Sequence, residues 1–237
     1  MNKKAGLWGS VGLFCLSLTL VLGVRWIGFE PFVIPSGSMI PTLLINDHIV
    51  VSKYSFGFRW PFSRKWLLSP QTPQRGDVVV FRSIDQDDYY LIKRVVGLPG
   101  DRVVFDEAGR LHINGQVIPM EEWENHPKWS EADLEGPSDR YDVGREKLGE
   151  HEHAVLLERG AYRSTESGRV IPAGHIFLMG DNRDRSRDSR FWGDLPLENL
   201  LGKAQFVWLS CEGTVPGLSF ICDPRTIRWR RFFHHIE

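Results

Sequence analysis

The stretch Phe32-Val33-Ile34-Pro35-Ser36-Gly37-Ser38-Met39-Ile40-Pro41-Thr42-Leu43 decides how this chain is read. It holds two serines one residue apart, in a turn between an apolar lead-in and a second proline. Pro35 fixes its own φ, and Gly37 admits a left-handed or closely approached backbone. A hydroxyl held on such a backbone is presented to a ligand rather than packed away.

Upstream of the turn lies an apolar run. After the basic start Met1-Asn2-Lys3-Lys4, the twenty residues Ala5 to Val24 carry no charge. At about 1.5 Å per residue a helix of that length crosses a hydrocarbon core of roughly 30 Å. A cleavable leader is the rival reading. The run exceeds the apolar segment of about 7–15 residues that leaders use, and no small-x-small site follows it. Arg25, Trp26 and Phe29 stand where that site belongs. Lys3 and Lys4 favour an N-terminus inside. The expected organisation is therefore a cytoplasmic N-terminus (1–4), one transmembrane helix (5–25) and an extracytoplasmic domain (26–237). The serine pair then sits a few residues beyond the membrane face.

Downstream, the chain reads as mainly β. Ile45 to Ser52 gives a turn and a β-branched strand, and Arg75-Gly76-Asp77 turns into Val78-Val79-Val80-Phe81. Tyr89 to Val96 is another strand, closed by Gly97-Leu98-Pro99-Gly100-Asp101. Val103 to Phe105, Leu111 to Ile113 and Val117-Ile118 form a meander, with Asn114-Gly115 as a hairpin signal. Ala154 to Leu157, Arg169 to Ile171, Gly174 to Met179 and Leu200 to Leu209 continue the pattern. Glu121 to Glu150 differs, with ten acidic residues against four basic ones. It reads as a solvated excursion or partly ordered insertion rather than core. His151 and His153 lack the i, i+4 spacing of a helical zinc site, so both read as surface histidines.

Composition sets limits. The 237 residues are 42% hydrophobic, enough for one folded domain plus an anchor. A formal net charge of -1 gives no bulk basic surface for nucleic acid. Cys211 and Cys222 are either bridged or free, depending on compartment and on spacing that sequence does not reveal. The aromatic and basic segment Tyr54 to Leu68 is either a packed loop or one that meets a bilayer interface. The tail Arg225 to Phe233 is open to the same two readings, packing or contact with anionic lipid.

Two features carry chemistry. In the Tyr89–Val96 strand side chains alternate faces, so Lys93 shares a face with Leu91 and Val95, and Arg94 one with Ile92 and Val96. Arginine keeps its charge and needs an anion or the surface. A desolvated lysine sheds its proton and becomes a competent base. Edge-strand gatekeeper cations are the structural alternative. The second feature is Gly180 to Arg190, with three Asp and four Arg. Arg183 and Arg185 occupy the ligand positions of a calcium loop, so Asp–Arg pairing within the loop explains the composition better. Ser186 sits there between two arginines, placed to orient another side chain. No G-x-S-x-G elbow, S-x-x-K, P-loop, dinucleotide fingerprint or HExxH occurs, and no histidine stands in a telling context for a triad.

Four ordered motifs resemble the boxes of bacterial type I signal peptidases. They are Ser36-Gly37-Ser38-Met39-x-Pro41-Thr42, Arg75-Gly76-Asp77-Val78-Val79, Lys93 to Asp101, and Gly180-Asp181-Asn182-Arg183-Asp184-x-Ser186-x-Asp188-Ser189-Arg190-x-Trp192-Gly193. The resemblance implies a signal-peptidase-like β-fold with a variable second subdomain, here about residues 106–173. It implies a serine protease on the outer, periplasmic face of the inner membrane that removes signal peptides from exported preproteins. By motif position Ser38 matches the nucleophile and Lys93 the general base. Ser36 matches an oxyanion donor and Ser186 the hydroxyl that orients the lysine, with Asp188 and Arg190 in support. No cofactor, metal or nucleic acid is implied; the partners are signal peptides and membrane lipid. Two other classes stay open: a non-catalytic anchored β-domain that binds export components, and a related serine–lysine protease with a narrower substrate set.

Overall fold

The computed structural model describes residues 9–19, 23, 28–60, 63, 65–84, 89–107, 109–124, 126–127, 129–161 and 168–236. Much of the expected anchor lies outside the described residues. Residues 9–19 are helical and exposed, and among the described residues no helix is long and apolar enough to cross a membrane.

The main sheet has eight strands. Along it run β1 (Phe29–Val33), β2 (Asp47–Ser52), β14 (Leu200–Ser210), β3 (Val78–Arg82), β4 (Tyr90–Gly97), β12 (His175–Met179) and β13 (Leu195–Pro196), with β17 (His234–His235) also on β14. Every pairing in it is antiparallel. The β-branched run Val78-Val79-Val80 suits a pleated strand buried on both faces. Val78 and Val80 pack with Ile34, Met39 and Ile49, while Val79 and Phe81 pack with Val95, Leu178 and Leu200. β4 pairs with β3 from Tyr90 to Arg94 and with β12 from Arg94 onward, and Lys93 and Arg94 are both buried, so they are not solvated gatekeepers of an edge strand.

The meander appears as expected: β5 (Arg102–Phe105), β6 (Leu111–Ile113) and β7 (Gln116–Val117), with β11 (Arg169–Val170) beside β5. Asn114 and Gly115 both take positive φ (54° and 81°), the conformation a two-residue hairpin turn requires.

The acidic stretch corrects the sequence reading. It forms β8 (Met120–Glu122), a short helix Glu131–Leu134 and β9 (Tyr141–Leu148), and β9 pairs with β10 (His151–Glu158) over its full length. Leu134, Tyr141 and Val143 pack with Ile40, Leu44 and Leu156, just beyond the serine turn. The acidic residues hid this because most of them point outward, while Tyr141 and Val143 are buried in one cluster and Leu148 in another. His153 is a second correction: it is buried, at 6% exposure.

At the C-terminal end Cys211 and Cys222 are bridged, their Cα atoms 5.7 Å apart. The bridge ties the end of β14 to the hairpin of β15 (Thr214–Val215) and β16 (Leu218–Cys222). His48 Nε2 lies 3.5 Å from Cys222 Sγ, but sulfurs bonded to each other are not thiolate ligands for a metal. The basic tail is divided. Arg228 turns inward to Asp133 (2.7 Å) and Arg231 to Asp47 (2.5 Å), whereas Trp229 and Phe233 remain exposed.

Candidate active site

Three elements converge on Ser38. The first is its own turn, Gly37–Met39, a single 3-10 turn entered from extended Ser36. Ile34 N–H donates to Asp47 O (2.9 Å) and Asn46 N–H to Ile34 O (2.9 Å), so β2 fixes where the turn begins. Met39, Ile40 and Leu43 are fully buried, so the turn is anchored by its apolar residues while Ser38 is half-buried and Ser36 exposed.

The second element is β4. Lys93 is 2% exposed, and its Nζ donates to Ser38 Oγ at 2.5 Å and to Ile92 O at 2.9 Å. Burial lowers its pKa from 10.5 to about 8. Asp188 and Asp181 oppose that shift and Arg190 adds to it. A lysine so placed is neutral in a substantial fraction near pH 8, beside a hydroxyl that needs a base.

Gly180 to Arg190, the third element, is a scaffold of buried charge. Asp181 is fully buried and pairs with Arg94 through bonds of 2.8 and 2.7 Å. Burial alone would raise the Asp181 carboxyl, but Arg94 and the Thr42 hydroxyl (2.5 Å) hold it below its usual range. Arg183 reaches out of the loop to Glu146 on β9, with bonds of 2.7 and 2.5 Å. Burial acts to raise the Glu146 carboxyl, and Arg183 overrides it and lowers it. His153 Nε2 stands 3.4 Å from Glu146 and 3.8 Å from Asp181. Its pKa is lowered, by burial first and then by the charge of Arg94. Asp188 and Arg190 pair within the loop, at 2.8 Å. The expected Asp–Arg pairing within the loop is joined by pairs that reach β4 and β9.

The six residues singled out in the sequence are not equally engaged. Ser38 and Lys93 are in direct contact. Asp188 is buried, accepts from Gly180 N–H at 3.0 Å and is held by Arg190. Ser186 is buried and its Oγ has no hydrogen-bond partner. A Cβ added to Gly180 would lie 2.3 Å from both Ser186 Oγ and Ser38 O, so this glycine lets the loop close against the turn. Ser36 is exposed and makes no capping hydrogen bond. Sequence reasoning missed Asn182, whose backbone N–H donates to Ser38 O (3.2 Å) and whose Nδ2 donates to Gly37 O (3.0 Å). Its signal was its place in the charged loop, but an uncharged amide among seven charges drew no attention. A separate cavity of about 1040 Å³, lined in part by Trp123, Trp129 and Trp229, includes neither Ser38 nor Lys93. The contact between Lys93 and Ser38 lies outside this cavity.

A family model described as signal peptidase, peptidase S26, matches residues 7–209. The chain belongs to this signal peptidase family. Signal peptidase I of Pseudomonas fluorescens is 44% identical over 204 residues, covering 81% of this chain and 69% of that protein. Signal peptidase I of Pseudomonas aeruginosa is 41% identical over the same coverage. A solved signal peptidase I from Enterococcus faecalis is 26% identical with a TM-score of 0.32, covering 55% of this chain and 95% of that one. As a member of the signal peptidase family the chain is a peptidase, a hydrolase of mainly β architecture.

Proposed function

We propose that this peptidase removes signal peptides from exported preproteins by a Ser38–Lys93 dyad, while anchored in the inner membrane. The supporting observation is the 2.5 Å contact between Lys93 Nζ and Ser38 Oγ, with the lysine buried. The relatives' names supply the substrate class.

The chemistry follows from that contact. Neutral Lys93 takes the Ser38 proton as Oγ attacks the scissile carbonyl carbon. The oxyanion is bound by Ser38 N–H and the Ser36 hydroxyl. The tetrahedral intermediate collapses, the C–N bond breaks, and Lys93 returns the proton to the leaving amine. The acyl group remains on Ser38 until water, deprotonated by Lys93, displaces it. Ser186 orients the lysine, and Asp188 with Arg190 holds the loop that carries Ser186. The substrate lies extended: β12 pairs with β4 only from Arg94 onward, leaving Tyr90–Lys93 joined to β3 on one side. That edge accepts a peptide strand. The family resemblance implies small residues at the first and third positions before the cleaved bond, which fits an extended substrate whose alternate side chains face the enzyme. No cofactor takes part in these steps.

The anchor is Ala5 to Val24, with residues 5–25 crossing the bilayer and 26–237 on the outer face. Helical residues 9–19 carry Leu13, Phe14 and Leu16 at 66–70% exposure, as a lipid-facing segment would. Residues 106–173 form the second subdomain.

The test is incubation of the purified full chain, in detergent, with a preprotein, followed by N-terminal analysis of the product. The reading requires one new N-terminus at the end of the signal peptide. An uncut preprotein, or cuts scattered through the mature region, would overturn it.

A further inference from the structure

The Gly37–Ser38 peptide unit carries the backbone N–H that serves as oxyanion donor. A peptide unit is planar and trans, so its C=O and N–H point in opposite directions. Whatever fixes the Gly37 carbonyl therefore fixes the direction of Ser38 N–H. That carbonyl accepts two hydrogen bonds, from Ile40 N–H (3.1 Å) and Asn182 Nδ2 (3.0 Å). The next carbonyl, that of Ser38, accepts from Asn182 N–H at 3.2 Å. One residue thus grips two successive peptide units at the nucleophile.

Asn182 is itself rigidly held. It is 1% exposed. Asp181 before it is locked to Arg94, and Arg183 after it to Glu146. Leu156 N–H donates to Asp181 O (2.8 Å), fastening the loop to β10. Asn182 Oδ1 is buried with no hydrogen-bond partner. An unsatisfied buried acceptor costs stability, so the amide is not explained as a device for folding. Its NH₂ group makes the bond to Gly37 O. A carbonyl that accepts a hydrogen bond also polarises its peptide unit and strengthens the N–H on the far side as a donor.

We infer that Asn182 is a positioning residue for the oxyanion site, aiming and polarising Ser38 N–H through the Gly37 carbonyl. The inference rests on the reading of Ser38 as nucleophile. It separates the loop's two contributions: Asp188 acts electrostatically on Lys93, and Asn182 acts on the oxyanion donor.

The experiment compares Asn182→Ala, Asn182→Asp and Ser38→Ala with wild type, as full chains in detergent with a preprotein substrate. Removing an oxyanion donor outright typically costs about 10²–10³ in kcat. Misdirecting one is expected to cost about 10–100-fold in Asn182→Ala, with KM within about twofold. The midpoint of the pH profile should stay where wild type has it, because Lys93 is untouched. Asn182→Asp keeps the shape, but only its protonated form donates to Gly37 O. Its activity relative to wild type at the same pH should therefore rise as pH is lowered, which a merely structural role would not produce. A kcat within twofold of wild type in Asn182→Ala, a loss confined to KM, or a flat relative profile in Asn182→Asp overturns the inference. If Asn182→Ala does not unfold cooperatively, the Asn182→Asp profile decides. If Ser38→Ala remains active, the nucleophile reading fails whatever Asn182 does. If Ser38→Ala is inactive and the Asn182 variants are not impaired, only the positioning role fails.

Discussion

Arg94 and Asp181 are joined by two hydrogen bonds, 2.8 and 2.7 Å long, with both side chains wholly out of solvent. The pair ties the strand that carries Lys93 to the loop that carries Asn182 and Ser186. A buried pair of this kind contributes less through its own attraction than through the penalty for breaking it. Asp181→Ala removes the carboxylate that faces a buried guanidinium. It is expected to destabilise the fold by about 3–5 kcal/mol. Denaturant unfolding of purified wild type and variant measures this. A difference below about 1 kcal/mol would mean that water or another carboxylate reaches Arg94.

The Lys93 pKa predicts the pH profile. As the proposed base Lys93 must be neutral, and below its pKa of about 8 it is mostly protonated. Activity should therefore rise with pH, about tenfold per unit well below pH 8, and level off above it. Measuring kcat/KM on one preprotein from pH 5 to 10 checks this. A plateau reached by pH 6 would contradict it.

Lys93 is also expected to cost stability. At pH 7 it is charged in both folded and unfolded chains, and burial disfavours that charge. The fall from 10.5 to about 8 corresponds to about 3 kcal/mol. Lys93→Met should thus be inactive yet more stable than wild type at pH 7, by up to that amount. Between pH 8 and 10.5 the unfolded chain binds the proton that the folded chain has lost, so wild-type stability rises with pH. The advantage of Lys93→Met should shrink over that range. Thermal unfolding of both proteins at pH 7 and pH 9.5 measures it, and an unchanged gap would argue against a depressed lysine.

Much of this arrangement was legible in the sequence. The strands were written in β-branched runs and Asn-Gly turns, and two cations in an apolar strand pointed at β4. The partners of those cations were not legible. Glu146 and Arg183 are 37 positions apart, and only the folded hairpin of β9 and β10 shows that they meet. His153 looked like a surface residue because its spacing from His151 does not fit a helical zinc site. It is buried because β10 packs against the charged loop. Lys93 and Ser38, 55 positions apart, became a pair at the sequence level through the family motifs rather than through any spacing rule.

Gly180 is predicted to tolerate no side chain. A Cβ there would stand 2.3 Å from the Ser38 carbonyl oxygen, a backbone atom that cannot swing aside. Gly180→Ala should push the loop off the nucleophile turn, costing about 1–3 kcal/mol of stability. The larger effect should fall on kcat, at least roughly 100-fold, because misplacement of about 1 Å at a reacting centre is worth that much. Parallel unfolding and kinetic measurements separate the two. Full activity in Gly180→Ala would show that the loop and the turn can part without consequence.

The account depends most on the contact between Lys93 Nζ and Ser38 Oγ. Its most direct test is the single-turnover rate of preprotein cleavage by Ser38→Ala and Lys93→Ala, each checked for cooperative unfolding. The dyad predicts that both rates fall by at least about 10⁴-fold and to a similar level, because nucleophile and base act as one unit. A folded Lys93→Ala protein that cleaves at close to the wild-type rate would contradict it.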